Sequence, residues 1–145
     1  MIRQAKQEDR ERLLEMGMRF VSDTEYGGFI RTNRRAMSET FEGVMASQDG
    51  TVLVQELDGV LVGMILMVIY AHPFSGERVA SELAWWVDPE ARNSGAGVRL
   101  LRAAEGWAAE HGAASIQMIA PNADVGTLYG RLGYQPMETA FQRSL

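Results

Sequence analysis

SELAWWVDPEARNSGAGVRLLRAAEGWAAEHG, Ser81 to Gly112, changes its hydrophobic rhythm partway along. The first part, up to Val87, reads as a strand. Strict alternation would put Glu82, Ala84 and Trp86 on one face and Leu83, Trp85 and Val87 on the other. From Gly97 onward the spacing is helical. Gly97, Leu100, Leu101, Ala104, Trp107, Ala108 and His111 share one face, and Gly112 stops the helix. A second apolar run, Ser115–Ala120, follows at once. Strand, helix and strand in this order predict parallel strands joined by a right-handed crossover.

Working outward from this unit, Thr51 to Val87 reads as a three-stranded antiparallel meander. Asp58-Gly59 is a tight-hairpin signal between its first two strands, and HPFSGER is the second turn. Upstream, Ile2–Ala5 is a short strand. Leu13, Gly17 and Phe20, with Leu14, Met18 and Val21, then mark an amphipathic helix, which Ser22–Phe29 ends. A second helix is predicted over Asn33–Met45. Downstream, Asp124–Gly133 reads as a helix with Asp124 as its cap. Tyr134–Leu145 reads as a final strand. The expected order is β-α-α-β-β-β-α-β-α-β, a single α/β domain over residues 1–145 with a mostly antiparallel sheet.

Composition narrows the function. With no cysteine, disulfides, thiolate metal sites and a cysteine nucleophile are excluded. The 2 histidines, His72 and His111, are too far apart in sequence to suggest a metal site, and no metal is expected. A net charge of −5 argues against nucleic acid as the main partner. The polar N-terminus does not resemble a signal peptide. The longest apolar run, from Val60 to Ala71, is short of the roughly 20 residues a bilayer-spanning helix needs. A cytoplasmic protein without a membrane partner is expected.

Arg92-Asn93-Ser94-Gly95-Ala96-Gly97 therefore stands where a strand turns into a helix. A helix N-terminus offers unpaired N–H groups and partial positive charge, which suits phosphate. Gly95 and Gly97 would permit positive φ and close approach of an anion, and Arg92 adds a full charge. A P-loop would need Lys after its last glycine, where this chain has Val98. A dinucleotide fingerprint would need a glycine at Leu100.

What remains, Arg-x-x-Gly-x-Gly after Val-Asp-Pro, resembles motif A of the GNAT superfamily of N-acetyltransferases. NADVGTLYGRLGY, Asn122 to Tyr134, is similar to that family's second signature, with Asn122, Leu128, Tyr129, Leu132, Gly133 and Tyr134 in register. The two motifs lie about 30 residues apart with a strand between them. Asn93 departs from the glycine many members have there. As the next best residue at a left-handed position, it should preserve the loop.

The resemblance implies a GNAT-like fold with helices on both faces of the sheet. It also implies transfer of an acetyl group from acetyl-coenzyme A directly to a primary amine. The pyrophosphate would sit on Arg92, Asn93, Ser94, Gly95, Ala96, Gly97 and Val98. The pantetheine arm would follow the backbone at Trp86 and Val87, with Asn122 nearby. Tyr129 would be the general acid for the departing thiolate. Helical spacing puts Leu128 and Leu132 on the core face and Tyr129 off it. Glu82, beside the tryptophans, is the candidate base, with Asp23, Glu25 or water as alternatives. The acceptor would be a small-molecule or peptide amine, and a homodimer is a common arrangement in the family. The rival reading is a non-catalytic CoA-binding or sensor domain that keeps the fold.

Overall fold

A computed structural model describes all 145 residues. Five strands form one sheet in the order β1-β2-β3-β4-β5, namely Ile2–Gln4, Gly50–Leu57, Val60–Ala71, Arg78–Val87 and Ser115–Gln117. The first four are antiparallel neighbours, and β4 and β5 are parallel. The helices are α1 (Arg10–Ser22), α2 (Arg34–Ala46), α3 (Ala96–Glu110) and α4 (Ala123–Arg131).

The Asp58-Gly59 hairpin forms as read. Both residues have positive φ, +50° and +77°, and Leu57 pairs with Val60. Such a turn twists in the same sense as the strands it joins. The sheet buries an apolar layer on each face. On one side Leu53, Ile65, Met67, Ile69, Ala80 and Val87 meet Ala96, Leu100, Ala104 and Trp107 of α3. On the other, Val52, Val54, Met64, Leu66 and Trp86 meet Leu13, Leu14 and Met16 of α1 and Phe41 and Val44 of α2.

One irregularity in β4 decides which side chains share a face. Leu66 pairs with Ala84 and Met67 with Glu82, so Leu83 is an extra residue bulged out of the strand. It overturns the strict alternation expected from sequence. Across the ladder, Glu82 opposes Met67 and Trp85 opposes Ile65, both on the α3 side. Trp86 packs on the α1 side instead. Glu82 thus shares its face with Trp85 and not with Trp86, and Leu83 is left 45% exposed.

The end of β4 is tied to α1 by a buried carboxylate. Asp88 accepts hydrogen bonds from Arg12, from Arg19 Nη1 at 3.0 Å and from Trp86 Nε1 at 2.9 Å, and its own N–H donates to Val62. Burial of this charge is supported because every contact to the carboxylate is a donor.

Four further expectations change. The second apolar run forms a strand only over Ser115–Gln117, because the chain leaves the sheet after it. Residues 135–145 form no strand. Pro136 cannot donate to a ladder, and Phe141 stands 93% exposed. Asn122, in extended conformation, caps α4 by accepting from Val125 N–H at 3.0 Å, so Asp124 lies inside the first turn. Tyr129 is buried at 6% exposure, whereas Leu128 and Leu132 are only half-buried, so the helix turns its tyrosine inward.

Gly97 has ordinary helical φ, and its lack of a side chain serves packing. A Cβ there would lie 3.3 Å from Trp85 Cζ2 and 3.7 Å from a Val87 methyl. Gly97→Val is therefore expected to destabilise the fold by about 1–3 kcal/mol through overpacking, read as a lowered urea midpoint with an unchanged m-value. A variant as stable as the parent would show that α3 can move off β4 freely.

Candidate active site

β4 and β5 pair only from Val79–Ser115 to Ser81–Gln117. Beyond Ser81, β4 runs on to Val87 with no strand on that edge, and the sheet opens into a cleft. The chain leaving β5 presents the peptide group of Ile119 to the opening. Glu82 Oε2 accepts from Ile119 N–H at 3.0 Å, and Tyr129 Oη donates to the Ile119 carbonyl at 3.0 Å. The two side chains singled out from sequence as base and acid thus meet on one residue.

Their electrostatics differ. Glu82 is 6% exposed, and burial pushes its carboxyl up to about 7, opposed only by the Ile119 N–H. It is poised to exchange a proton near neutrality. Burial, with the Glu82 charge nearby, drives the Tyr129 phenol above its ordinary value, so Tyr129 holds its proton at any physiological pH. The Tyr129 ring stacks on Trp85, with centroids 5.8 Å apart. Tyr134 flanks it at 5.4 Å and anchors the end of α4 by donating to Glu105 of α3 at 2.9 Å.

The glycine turn lies where β4 passes into α3. Pro89–Ser94 form 3₁₀ turns, so Asn93 is not left-handed as expected from sequence; only Gly95, at φ +81°, is. Ser94 Oγ donates to the Ala91 carbonyl at 2.6 Å and accepts from Ala96 N–H at 3.3 Å, bracing the turn. Arg92 Nε donates to the Val87 carbonyl at 3.0 Å. Its guanidinium stands 4.9 Å from the centre of the Trp86 ring, held at the mouth of the turn. Trp86 and Val87 are buried in opposite cores, so only their backbones can border the cleft.

Sequence reasoning passed over several contributors. Arg99, exposed on the first turn of α3, donates to buried Gln55 at 3.1 Å and to the Ser94 carbonyl at 2.9 Å, tying the turn to β2. Its position one turn past Gly95 was the available signal. Ile119 acts through its backbone and gave none. Asp23 and Glu25, the alternative bases, are not buried and do not line the cleft. No three His, Cys, Asp or Glu side chains are grouped to hold a metal, and no helix is long and apolar enough to cross a membrane.

A mixed sheet parted beside a glycine turn, with helices on both faces, defines an acetyltransferase fold. The family model described as Acetyltransferase (GNAT) family matches residues 18–134, and the chain belongs to that family. Similar solved structures include a transcriptional regulator from Bacillus halodurans C-125, with TM-score 0.83 and 20% identity over 100% of this chain and 99% of that one. A ribosomal-protein-alanine N-acetyltransferase from Brucella melitensis biovar Abortus 2308 aligns with TM-score 0.76 and 16% identity, covering 100% and 99%. AAC(6')-Iy, in complex with the bisubstrate analogue CoA-S-monomethyl-acetylneamine, aligns with TM-score 0.81 and 17% identity, covering 100% of this chain and 97% of that one. No curated protein matches the sequence.

The raised Glu82 pKa has a thermodynamic sign. Its folded value, about 7, exceeds the ordinary 4.5, so the folded state binds the proton more tightly. The stabilisation is full below about pH 4.5 and is lost as pH rises through 7. Glu82→Gln keeps an acceptor for Ile119 and removes the titration. The variant should gain on the parent by about 3 kcal/mol between pH 4 and pH 8, measured by urea unfolding at both ends. A constant difference across that range would mean that Glu82 is not desolvated.

Proposed function

We propose that this protein transfers an acetyl group from acetyl-coenzyme A directly to a primary amine. The observation that carries the reading is the convergence of Glu82 and Tyr129 on Ile119, at the opening between β4 and β5. The glycine turn is suited to the pyrophosphate. Gly95 and Gly97 carry no side chain at the start of α3, Arg92 brings positive charge, and the N–H groups of Gly97 and Val98 make no backbone hydrogen bond. Trp85, whose indole lies against Gly97, joins the glycine turn to the cleft. The unpaired edge of β4 offers backbone groups to the pantetheine arm. AAC(6')-Iy, bound to its CoA-containing analogue, is a precedent on the same fold.

Proton balance assigns the roles. An alkylammonium, with a pKa of about 10.4, must lose two protons in becoming an amide. Glu82 takes the first and passes it to water, freeing the nitrogen lone pair to attack the thioester carbonyl. The C–N bond forms as the C–S bond breaks. Tyr129 protonates the departing sulfur, and the second amine proton restores the phenol. Tyr129 carries the proton this role needs, because burial keeps the phenol un-ionised.

Tyr129→Phe should lower kcat by about 10²–10⁴-fold with little change in CoA affinity. It should also reduce stability by roughly 1 kcal/mol, since the Ile119 carbonyl loses its donor. Single-turnover kinetics beside calorimetric CoA titration will separate these effects. A Phe variant with parental kcat would remove Tyr129 from the chemistry.

With Glu82 as base, kcat/KM for a fixed amine should rise through about pH 7, following the carboxyl's own titration. The Glu82→Gln profile should lack that limb. An identical limb in both would assign proton removal to another group.

A further inference from the structure

Accepting the transfer reading, the cleft in front of Glu82 narrows the acceptor. Its walls come from three parts of the chain: Phe20 and Tyr26 at the end of α1 and beyond, Trp85 on β4, and Ile119, Pro121 and Val125 around the start of α4. Phe20 and Tyr26 lie with ring centroids 5.6 Å apart. Glu82 is the only acidic or basic side chain that borders the cleft.

The neighbouring charges do not extend its recognition. Asp23 and Glu25 lie outside the lining. Arg19, adjacent to Phe20, is engaged with Asp88 at 3.0 Å. One ammonium entering this space can pair with one carboxylate, and aromatic faces attract both a cation and an apolar group. A second ammonium on the same molecule would be desolvated against rings and aliphatic side chains without a partner.

We propose that the acceptor is a monoamine carrying an aromatic ring, its nitrogen at Glu82 and its ring between Phe20, Tyr26 and Trp85. Polycationic amines, including those of the neamine kind named with AAC(6')-Iy, are disfavoured by the same lining. The apolar ring supplies binding that methylamine lacks, and a polyamine gives up part of that gain to its unpaired charges.

The test is acetyl-CoA-dependent thiol release with 2-phenylethylamine, methylamine, spermidine and kanamycin as acceptors. The expected result is a kcat/KM for 2-phenylethylamine at least about tenfold above each of the others, in line with what apolar-pocket contacts contribute to discrimination. Tyr26→Ala should lower kcat/KM for 2-phenylethylamine while the KM for acetyl-CoA stays constant. Val125→Asp places a carboxylate in the wall, where the first turn of α4 tolerates it, and should raise the rate with spermidine relative to 2-phenylethylamine. Equal rates across the panel, or faster transfer to spermidine or kanamycin, would overturn the assignment and leave the transferase reading standing. If no amine is acetylated, tryptophan fluorescence decides the matter with CoA present. Saturable binding of 2-phenylethylamine but not spermidine keeps the cleft assignment and removes the transfer. Binding of neither, or of both alike, removes the assignment.

Discussion

Two parallel strands that separate partway along leave backbone groups without partners. Each such group needs a partner from protein or solvent. Here the separation of β4 and β5 is resolved at Ile119, whose N–H goes to Glu82 and whose carbonyl goes to Tyr129. Side chains of β4 and α4 thereby hold the diverging chain at the edge of the cleft. The groups that satisfy the backbone are the same groups offered for chemistry, which gives both a fixed position.

The bulge at Leu83 makes this arrangement accessible. Without the extra residue, regular alternation would turn Glu82 to the face that carries Trp86 and α1. With it, Glu82 stands beside Trp85, against which Tyr129 stacks. One inserted residue thus brings carboxylate, indole and phenol into one group. It also separates the two tryptophans, one bordering the cleft and the other packed on α1 and hydrogen-bonded to Asp88.

The fold could be read from sequence wherever local periodicity and turn chemistry agree. The Asp58-Gly59 hairpin, the meander and the amphipathic α3 are of this kind, because each depends on residues close together in the chain. Glu82 and Tyr129 were singled out through motif resemblance, and the Arg92–Val98 turn through its glycines at a helix N-terminus as well; the structure places the first two together. What could not be read was non-local. The bulge depends on register against β3, and the inward turn of Tyr129 depends on Trp85. The expected final strand does not form, and its apolar residues Met137 and Phe141 remain exposed. Gly95 and Gly97 look equivalent in sequence, yet one serves a left-handed turn and the other close packing.

The Asp88 clamp also bears on the order of assembly. Its partners Arg12 and Arg19 lie 76 and 69 residues away in sequence. During synthesis α1 emerges long before β4, so its apolar side cannot be fully covered until Asp88 and Trp86 arrive. Closing so long a loop carries an entropic cost that only the completed sheet offsets. The β2–β3 hairpin, by contrast, can form from adjacent sequence alone. The cleft, which needs α1, β4 and α4 together, therefore cannot be complete until α4 has been synthesised, and until then the apolar side of α1 lacks part of its cover.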